Sequence, residues 1–212
     1  LGAAVAYTAS DGLGRRKAFA CTSITFIIGV LWTAAATSYA SLMMGRFVTG
    51  LGVGLGLAID PVYIAEVSPP KHRGRLVTWS ETATNVGILL GFVSGFAFRD
   101  AGEAGWRSML ALGAVIPAVL LVLVFTFMPE SPRWLVAKGR SEEAKLILRR
   151  CYPPSSDVDA VVAAIQSAIE EERNASNAYG WSALLLRPTK TTKRMLIVGV
   201  GVAMSQQTTA IE

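Results

Sequence analysis

The chain has 212 residues, carries 20 Lys and Arg against 15 Asp and Glu for a formal net charge of +5, and is 52% hydrophobic. Its mean hydropathy of +0.45 exceeds what a single soluble core of this size needs, and the excess lies in long blocks separated by short charged segments, so the pattern excludes an ordinary soluble domain and reads as a membrane protein. Cys21 sits in an apolar block, Cys151 in a charged one, and His72 has no Cys or His nearby, so neither a disulfide framework nor a metal site is expected.

In chain order, the first block is the apolar run Leu1 to Ala9, already under way at the first residue. Ala18 to Ser38 follows as an uncharged stretch of about 20 residues, enough to cross a hydrocarbon core of about 30 Å as a helix. Leu42 to Glu66 is interrupted by Arg46 and Asp60, Leu76 to Phe98 by Glu81, and Trp106 to Met128 has Arg107 at its edge. A last apolar run begins near Met195. Neither end shows an initiating Met, a signal peptide or a charged tail, so the chain reads as a fragment.

The basic residues are uneven. Three lie in Arg15 to Lys17, three in Lys71 to Arg75 and 11 from Arg133 to Arg194, whereas Arg99 and Arg107 flank the connection between two blocks. The positive-inside rule makes the three basic segments cytoplasmic and the Arg99 to Arg107 loop external. The charge then reflects topology and contact with anionic membrane lipids, not nucleic-acid binding.

From Pro129 to Arg194 the composition turns polar over a length that calls for short helices. Ser141 is placed as the N-cap of one, with Glu142 and Glu143 in its first turn and Arg149 and Arg150 at its end, matching the helix dipole. Pro153 and Pro154 stop it. Asp157 caps a second, in which Val158, Val161, Val162, Ile165 and Ile169 form one apolar face; that face packs on a cytoplasmic partner or lies at the membrane surface. Asn174-Ala175-Ser176 matches a glycosylation pattern but falls on the cytoplasmic side.

A charge in hydrocarbon costs roughly 2.5 to 3.5 kcal/mol, so Arg46, Asp60 and Glu81 imply partners or a water-filled path. Arg46, Gly50, Val53, Leu57 and Asp60 fall on one side of a helix, with Arg46 and Asp60 about 21 Å apart along it. Glu81 and Asn85 share a face, and Gly87, Gly91 and Gly95 form a neighbouring stripe read as a close-packing surface. Gly50, Gly52, Gly54 and Gly56 lie inside an apolar helix and lack the strand that a dinucleotide fingerprint requires. With no nucleophile and base pairing, phosphate loop or metal-ligand spacing, the chain reads as a non-enzyme without a cofactor.

Gly45-Arg46-Phe47, the glycine run, Pro61-Val62-Tyr63-Ile64-Ala65-Glu66-Val67-Ser68-Pro69 and Arg73-Gly74-Arg75 together resemble the fourth helix and following loop of the sugar porters of the major facilitator superfamily. Asp11-Gly12-Leu13-Gly14-Arg15-Arg16 resembles the family's loop between helices two and three. Pro129-Glu130-Ser131-Pro132-Arg133-Trp134-Leu135 resembles the signature after helix six, and Gln206-Gln207 the paired glutamines of helix seven. The resemblance implies an all-α membrane protein of the major facilitator fold, here a partial N-terminal half plus the cytoplasmic helices between halves. Residues 1–128 would hold the end of helix two and helices three (18–38), four (42–66), five (76–98) and six (106–128). Residues 129–193 would form the cytoplasmic linker, and 194–212 the start of helix seven.

The same resemblance implies transport of a sugar or polyol by alternating access. Glu81 stands where hexose carriers usually have a substrate-binding Gln, and similar Glu residues occur in the polyol branch. Asn85, Gln206, Gln207 and Glu212 complete the implied substrate contacts, an amide being able to donate and accept at a sugar hydroxyl. Arg46 matches the arginine that neighbours a helix-one aspartate in proton-coupled members, which implies symport, with facilitated uniport and a non-transporting sugar sensor as alternatives. Asp11, Arg15, Arg16, Glu66 and Arg73 match a cytoplasmic charge network that latches the outward-facing state. The membrane implied is the plasma membrane; a product of an incomplete gene, without function, is the further alternative.

Overall fold

A computed structural model of the chain describes residues 2–69, 71–153, 157–178 and 190–209. The chain divides into two units, Leu1–Val162 and Ala163–Glu212. The first holds α1 (Gly2–Leu13), α2 (Arg15–Ala34), α3 (Tyr39–Val67), α4 (Arg73–Ala97), α5 (Gly102–Leu112), α6 (Val115–Thr126), α7 (Pro132–Ala137) and α8 (Ser141–Cys151). The start of α9 (Val158–Ala178) also belongs to it, and α10 (Lys190–Thr209) lies in the second. No strand occurs among the described residues, in keeping with the all-α class that the sequence implies.

α2 and α3 form the tightest pair, and glycine sets its register. A Cβ on Gly45 would stand 2.8 Å from the backbone nitrogen of Thr33, and one on Gly52 would stand 2.9 Å from that of Phe26; one on Gly29 would overlap the backbone of Thr49. Each step forward along α3 matches an equal step back along α2, so the two helices run antiparallel with their backbones nearly touching. On α3 the buried positions are Gly45, Gly52 and Ile59, spaced by seven, the period of one helix meeting another along a single seam. α1 lies along a second side of α3, with Gly2 against the backbone of Leu51 and Gly54, and Ala6, Ala18 and Ile59 close the core between the three helices.

Among the described residues, three stretches are long and apolar enough to cross a membrane: Arg15–Ala34, Tyr39–Val67 and Ala104–Thr126. Ser38, expected to close the first of them, instead opens the next: its hydroxyl accepts from the backbone N–H of Ser41 at 3.2 Å as the N-cap of α3. The third stretch is broken at Gly113–Ala114 into α5 and α6. Pro117 has no N–H to give the Gly113 carbonyl, and the N–H groups of Gly113 and Ala114 reach only three residues back, to Leu110 and Ala111, both at 3.0 Å. Arg107 donates to the Ala34 carbonyl at 2.9 Å, a cation set on the C-terminal end of α2.

α4, with 25 residues, is long enough to span but carries Thr78, Ser80, Glu81, Thr82, Thr84 and Asn85 in its middle. The three threonine hydroxyls donate to carbonyls four residues back, so these groups satisfy themselves within the helix. α4 buries none of its residues among the described elements, and a Cβ on Gly87 or Gly91 would meet nothing within 4 Å. Of the stripe read from sequence as a packing surface, Gly87 and Gly91 are therefore uncovered here, whereas a Cβ on Gly95 would meet the Met109 sulfur of α5 at 3.5 Å.

Beyond the spans, Ser131 caps α7, accepting from Trp134 N at 3.3 Å with Pro132 in the first turn, and Leu135, Ala144 and Leu148 form a small core where α7 meets α8. Arg140, rather than the expected Ser141, takes the N-cap place of α8 and makes no side-chain cap bond there; Glu142, Glu143, Arg149 and Arg150 sit in the first and last turns as read from the sequence. The Asp157 carboxylate accepts from the N–H groups of Asp159 and Ala160, both at 3.1 Å, and so caps α9. Val162 on that helix is buried, with Val158 and Val161 half-buried beside it.

Candidate functional site: a charge cluster and an open helix face

Gly14 separates α1 from α2 at φ +90°, a backbone conformation that favours glycine, and its hydrogen faces the Glu130 carboxylate where a Cβ would overlap it. The turn delivers Arg15 into a pocket of acids. Its Nε and one terminal nitrogen donate to the two oxygens of Glu66 at 2.9 and 2.8 Å, a bidentate pair whose side chains are 11% and 7% exposed. The other terminal nitrogen donates to Asp11 at 2.8 Å and to the Ser10 carbonyl at 3.2 Å. Every fork of the guanidinium is thus engaged, and α1, α2 and α3 are joined through one side chain.

A second acid completes the cluster. Oε1 of Glu130 accepts from the backbone N–H groups of Arg15 at 2.7 Å, Arg16 at 3.1 Å and Ser131 at 3.0 Å. The first two are first-turn donors of α2 with no partner inside their helix, and a carboxylate there also answers the positive end of the helix dipole. Trp134 donates from Nε1 to the Asp11 carbonyl at 3.0 Å, and the Tyr63 hydroxyl donates to the Pro129 carbonyl at 3.0 Å with its ring edge-on to Phe19. The segment after α6 is thereby pinned to the C-terminal ends of α1 and α3 and the N-terminal end of α2.

Among the residues proposed for a charge network, Asp11, Arg15 and Glu66 meet directly. Arg16 stands beside them with its side chain turned the other way: Nε donates to the Val124 carbonyl at 3.1 Å, a terminal nitrogen donates to that of Phe125, and the guanidinium lies over the Phe125 ring. It clasps the C-terminal end of α6 instead of an acid. Arg73 is exposed at the first position of α4 and makes no bond to the cluster; its charge acts on Tyr152, opposing the burial that pushes that phenol up. Glu130 had no role in the sequence reading. Its partners are backbone N–H groups, which leave no sign in residue types; the hint was a lone acid in a signature segment next to a second segment that opens a helix with two arginines.

The residues proposed for substrate are differently placed. Glu81 and Asn85 are exposed on one face of α4, one turn apart, and the Asn85 amide donates to the Glu81 backbone carbonyl at 3.1 Å, leaving the carboxylate free among the described residues. Gln206 and Gln207 are on α10 in the second unit, and Glu212 lies outside the described residues. Arg46 is exposed on α3 and makes no hydrogen bond or ion pair among the described residues, and Asp60, half-buried, lies further along the same side of that helix.

The family model described as "Sugar (and other) transporter" matches residues 1–212. Polyol transporter 5 of Arabidopsis thaliana is 38% identical over all of this chain and 42% of its own length. The proton myo-inositol cotransporter of Homo sapiens is 41% identical over 93% of this chain and 30% of its own. Among solved structures, the major facilitator superfamily proton:xylose symporter XylE of E. coli bound to 6-bromo-6-deoxy-D-glucose superposes with a TM-score of 0.76 at 27% identity, covering 87% of this chain and 43% of that one. The chain spans less than half the length of each of these proteins.

Proposed function

The chain belongs to the sugar (and other) transporter family, integral membrane proteins of the major facilitator fold, and from that premise we propose that it is part of a carrier moving a polyol or related sugar across the plasma membrane by alternating access, coupled to protons. The observation that carries this reading is the match over all of the chain to a relative named as a polyol transporter and over 93% of it to one named as a proton myo-inositol cotransporter. An exposed acid beside an amide on α4 suits a polyol: a carboxylate accepts from two hydroxyls and an amide both donates and accepts. Gln206, Gln207 and Glu212 would supply further contacts, and Arg46 would set the proton affinity of an aspartate on a helix preceding this segment.

The charge cluster is the proposed latch. Asp11, Arg15, Glu66 and Glu130 would hold the cytoplasmic ends of α1, α2 and α3 to the segment after α6, so that this half moves as one body during the access change. Arg16 would belong to it through the carbonyls of α6, and Arg73, exposed and apart from the acids, is left out.

The test is uptake of labelled polyols, myo-inositol and hexoses by a transporter-deficient host expressing the complete protein, with the medium pH recorded. Polyol or inositol uptake with alkalinisation, and a raised KM in Glu81→Gln, is the expected result. Uptake without alkalinisation would remove the proton coupling, and an unchanged KM would remove Glu81 from the site. Correct insertion without uptake of any of these solutes would overturn the carrier reading.

A further inference from the structure

Asp60 belongs neither to the charge cluster nor to the polar face of α4. It lies in the membrane-spanning helix α3, six residues and about 9 Å of helix short of Glu66. It is half-buried and makes no hydrogen bond or ion pair among the described residues. The seam that packs α3 on α2 runs through Gly45, Gly52 and Ile59. Asp60 faces elsewhere, in line with Arg46, Gly50, Val53 and Leu57; Leu57 is 67% exposed, and a Cβ on Gly50 would meet nothing within 4 Å. Toward its N-terminal end this face of α3 is turned away from its packed neighbours, and it becomes half-buried at Asp60.

The next residue is Pro61, inside the helix. It gives no N–H to the Leu57 carbonyl one turn back, so the hydrogen-bond ladder lacks a rung at the level of the carboxyl, a place where a helix bends readily. The helices packed on α3 are α1, α2, α4 and α7. None of their charged groups (Asp11; Arg15, Arg16 and Lys17; Arg73, Arg75 and Glu81; Arg133), nor Arg46, Tyr63 or Glu66 of α3 itself, makes a hydrogen bond or ion pair with Asp60. A lone carboxyl in that position is neutral when water is withdrawn and ionised when water reaches it, because only hydration makes up for the cost of the bare charge.

We propose that Asp60 is a second proton-carrying carboxyl of the transport path, neutral while the cytoplasmic end of this face of α3 is closed and ionised once it opens. On opening, the proton leaves the carboxyl oxygen for cytoplasmic water; on closing, the carboxylate takes one back. The inference deepens the carrier reading and rests on its alternating access. Because opening lowers the proton affinity of the group, a rise in cytoplasmic pH favours the open state, by at most about tenfold in the ratio of states per pH unit.

The experiment uses the complete protein in proteoliposomes, with spin labels reporting the separation of its cytoplasmic ends as luminal or external pH on that side is raised from mildly acid to mildly alkaline. The open fraction should rise several-fold in wild type, stay flat in Asp60→Asn and rise again in Asp60→Glu. An Asp60→Asn profile equal to wild type overturns the proposal. Infrared difference spectra over the same titration give a readout that needs no transport: a protonated-carboxyl band lost on alkalinisation in wild type and missing in Asp60→Asn supports it, and no such difference overturns it. Labels frozen in one state at every pH, with that band present, would sink alternating access and leave the proton on Asp60.

Discussion

The α2–α3 pair and α4 are both rich in glycine, yet they use it oppositely. On the pair, Gly29, Gly45 and Gly52 face the backbone of the neighbouring helix, and nothing larger than hydrogen fits. On α4, Gly87 and Gly91 face open space next to exposed Glu81 and Asn85. The seam of the first arrangement is closed within these residues: its glycines meet the backbone of the neighbouring helix. In the second, Gly87 and Gly91 meet nothing, and only Gly95, at the end of the stripe, has a neighbour, Met109 of α5. In a chain that spans less than half the length of its relatives, helices of the first kind hold a half together, and a helix of the second kind is suited to meet something outside these residues, either solute or other helices.

The sharpest way to break this contrast is to remove one member of the charge cluster and compare it with Glu81. Arg15→Met would leave Glu66, 7% exposed, without its cation, and breaking a buried pair from one side costs about 3 to 5 kcal/mol. Thermal denaturation of the purified complete protein should show this as a large loss of stability, whereas Glu81→Gln, at an exposed position, should leave the melting temperature where it was. If the two variants melted together, the cluster would be a set of solvated charges and its geometry would carry no mechanical role.

A smaller effect tests the glycines themselves. Gly29→Ala drives a methyl into the backbone of Thr49, which cannot swing aside as a side chain can; overpacking of this kind costs about 1 to 3 kcal/mol. Gly91→Ala meets no atom and replaces the poorer helix former, so it should be neutral or stabilising by up to about 1 kcal/mol. Unfolding of both variants in the same detergent decides the matter. A penalty for Gly91→Ala as large as that for Gly29→Ala would mean that α4 presses its stripe against a helix outside these residues, restoring the packing surface that the sequence suggested.

What could be read from residues alone follows from the same physics. Long apolar runs announce helices, so α2 and α3 were visible to within a turn, and Arg15 and Glu66 were visible through a specific motif. Features made by the backbone were not. Glu130 works through three N–H groups that every residue but proline possesses, and Ser38 could as well have closed one helix as capped the next. Pro117 was in plain view, but its effect depends on the turn it interrupts, and a hydropathy profile runs straight through Gly113–Ala114. Arg73 shows the converse: a motif names a residue type at a spacing, while among the described residues its guanidinium makes no bond to the acids and its charge acts on Tyr152.

The smallest predicted effect lies in the linker. Lys145 of α8 reaches Asp159 of α9 at 2.8 Å and Glu142 at 3.0 Å, all with solvent around them. The hydrogen bond from Lys145, and then its charge, hold the Asp159 carboxyl below the usual carboxylate range. A carboxyl depressed in the folded state adds its stability above the unfolded value of about 3.9 and loses it as pH falls through the lower, folded one. The clasp should therefore be intact at neutral pH and open only in acid, and Lys145→Met should return the Asp159 titration to the ordinary range without moving the melting temperature. Carbon-detected NMR of labelled Asp side chains reads this directly. An unmoved Asp159 titration in Lys145→Met would mean that the pair is not formed in solution, and a fall in melting temperature would mean that the α8–α9 joint bears on the membrane helices, placing the linker with the α2–α3 pair in the contrast drawn above.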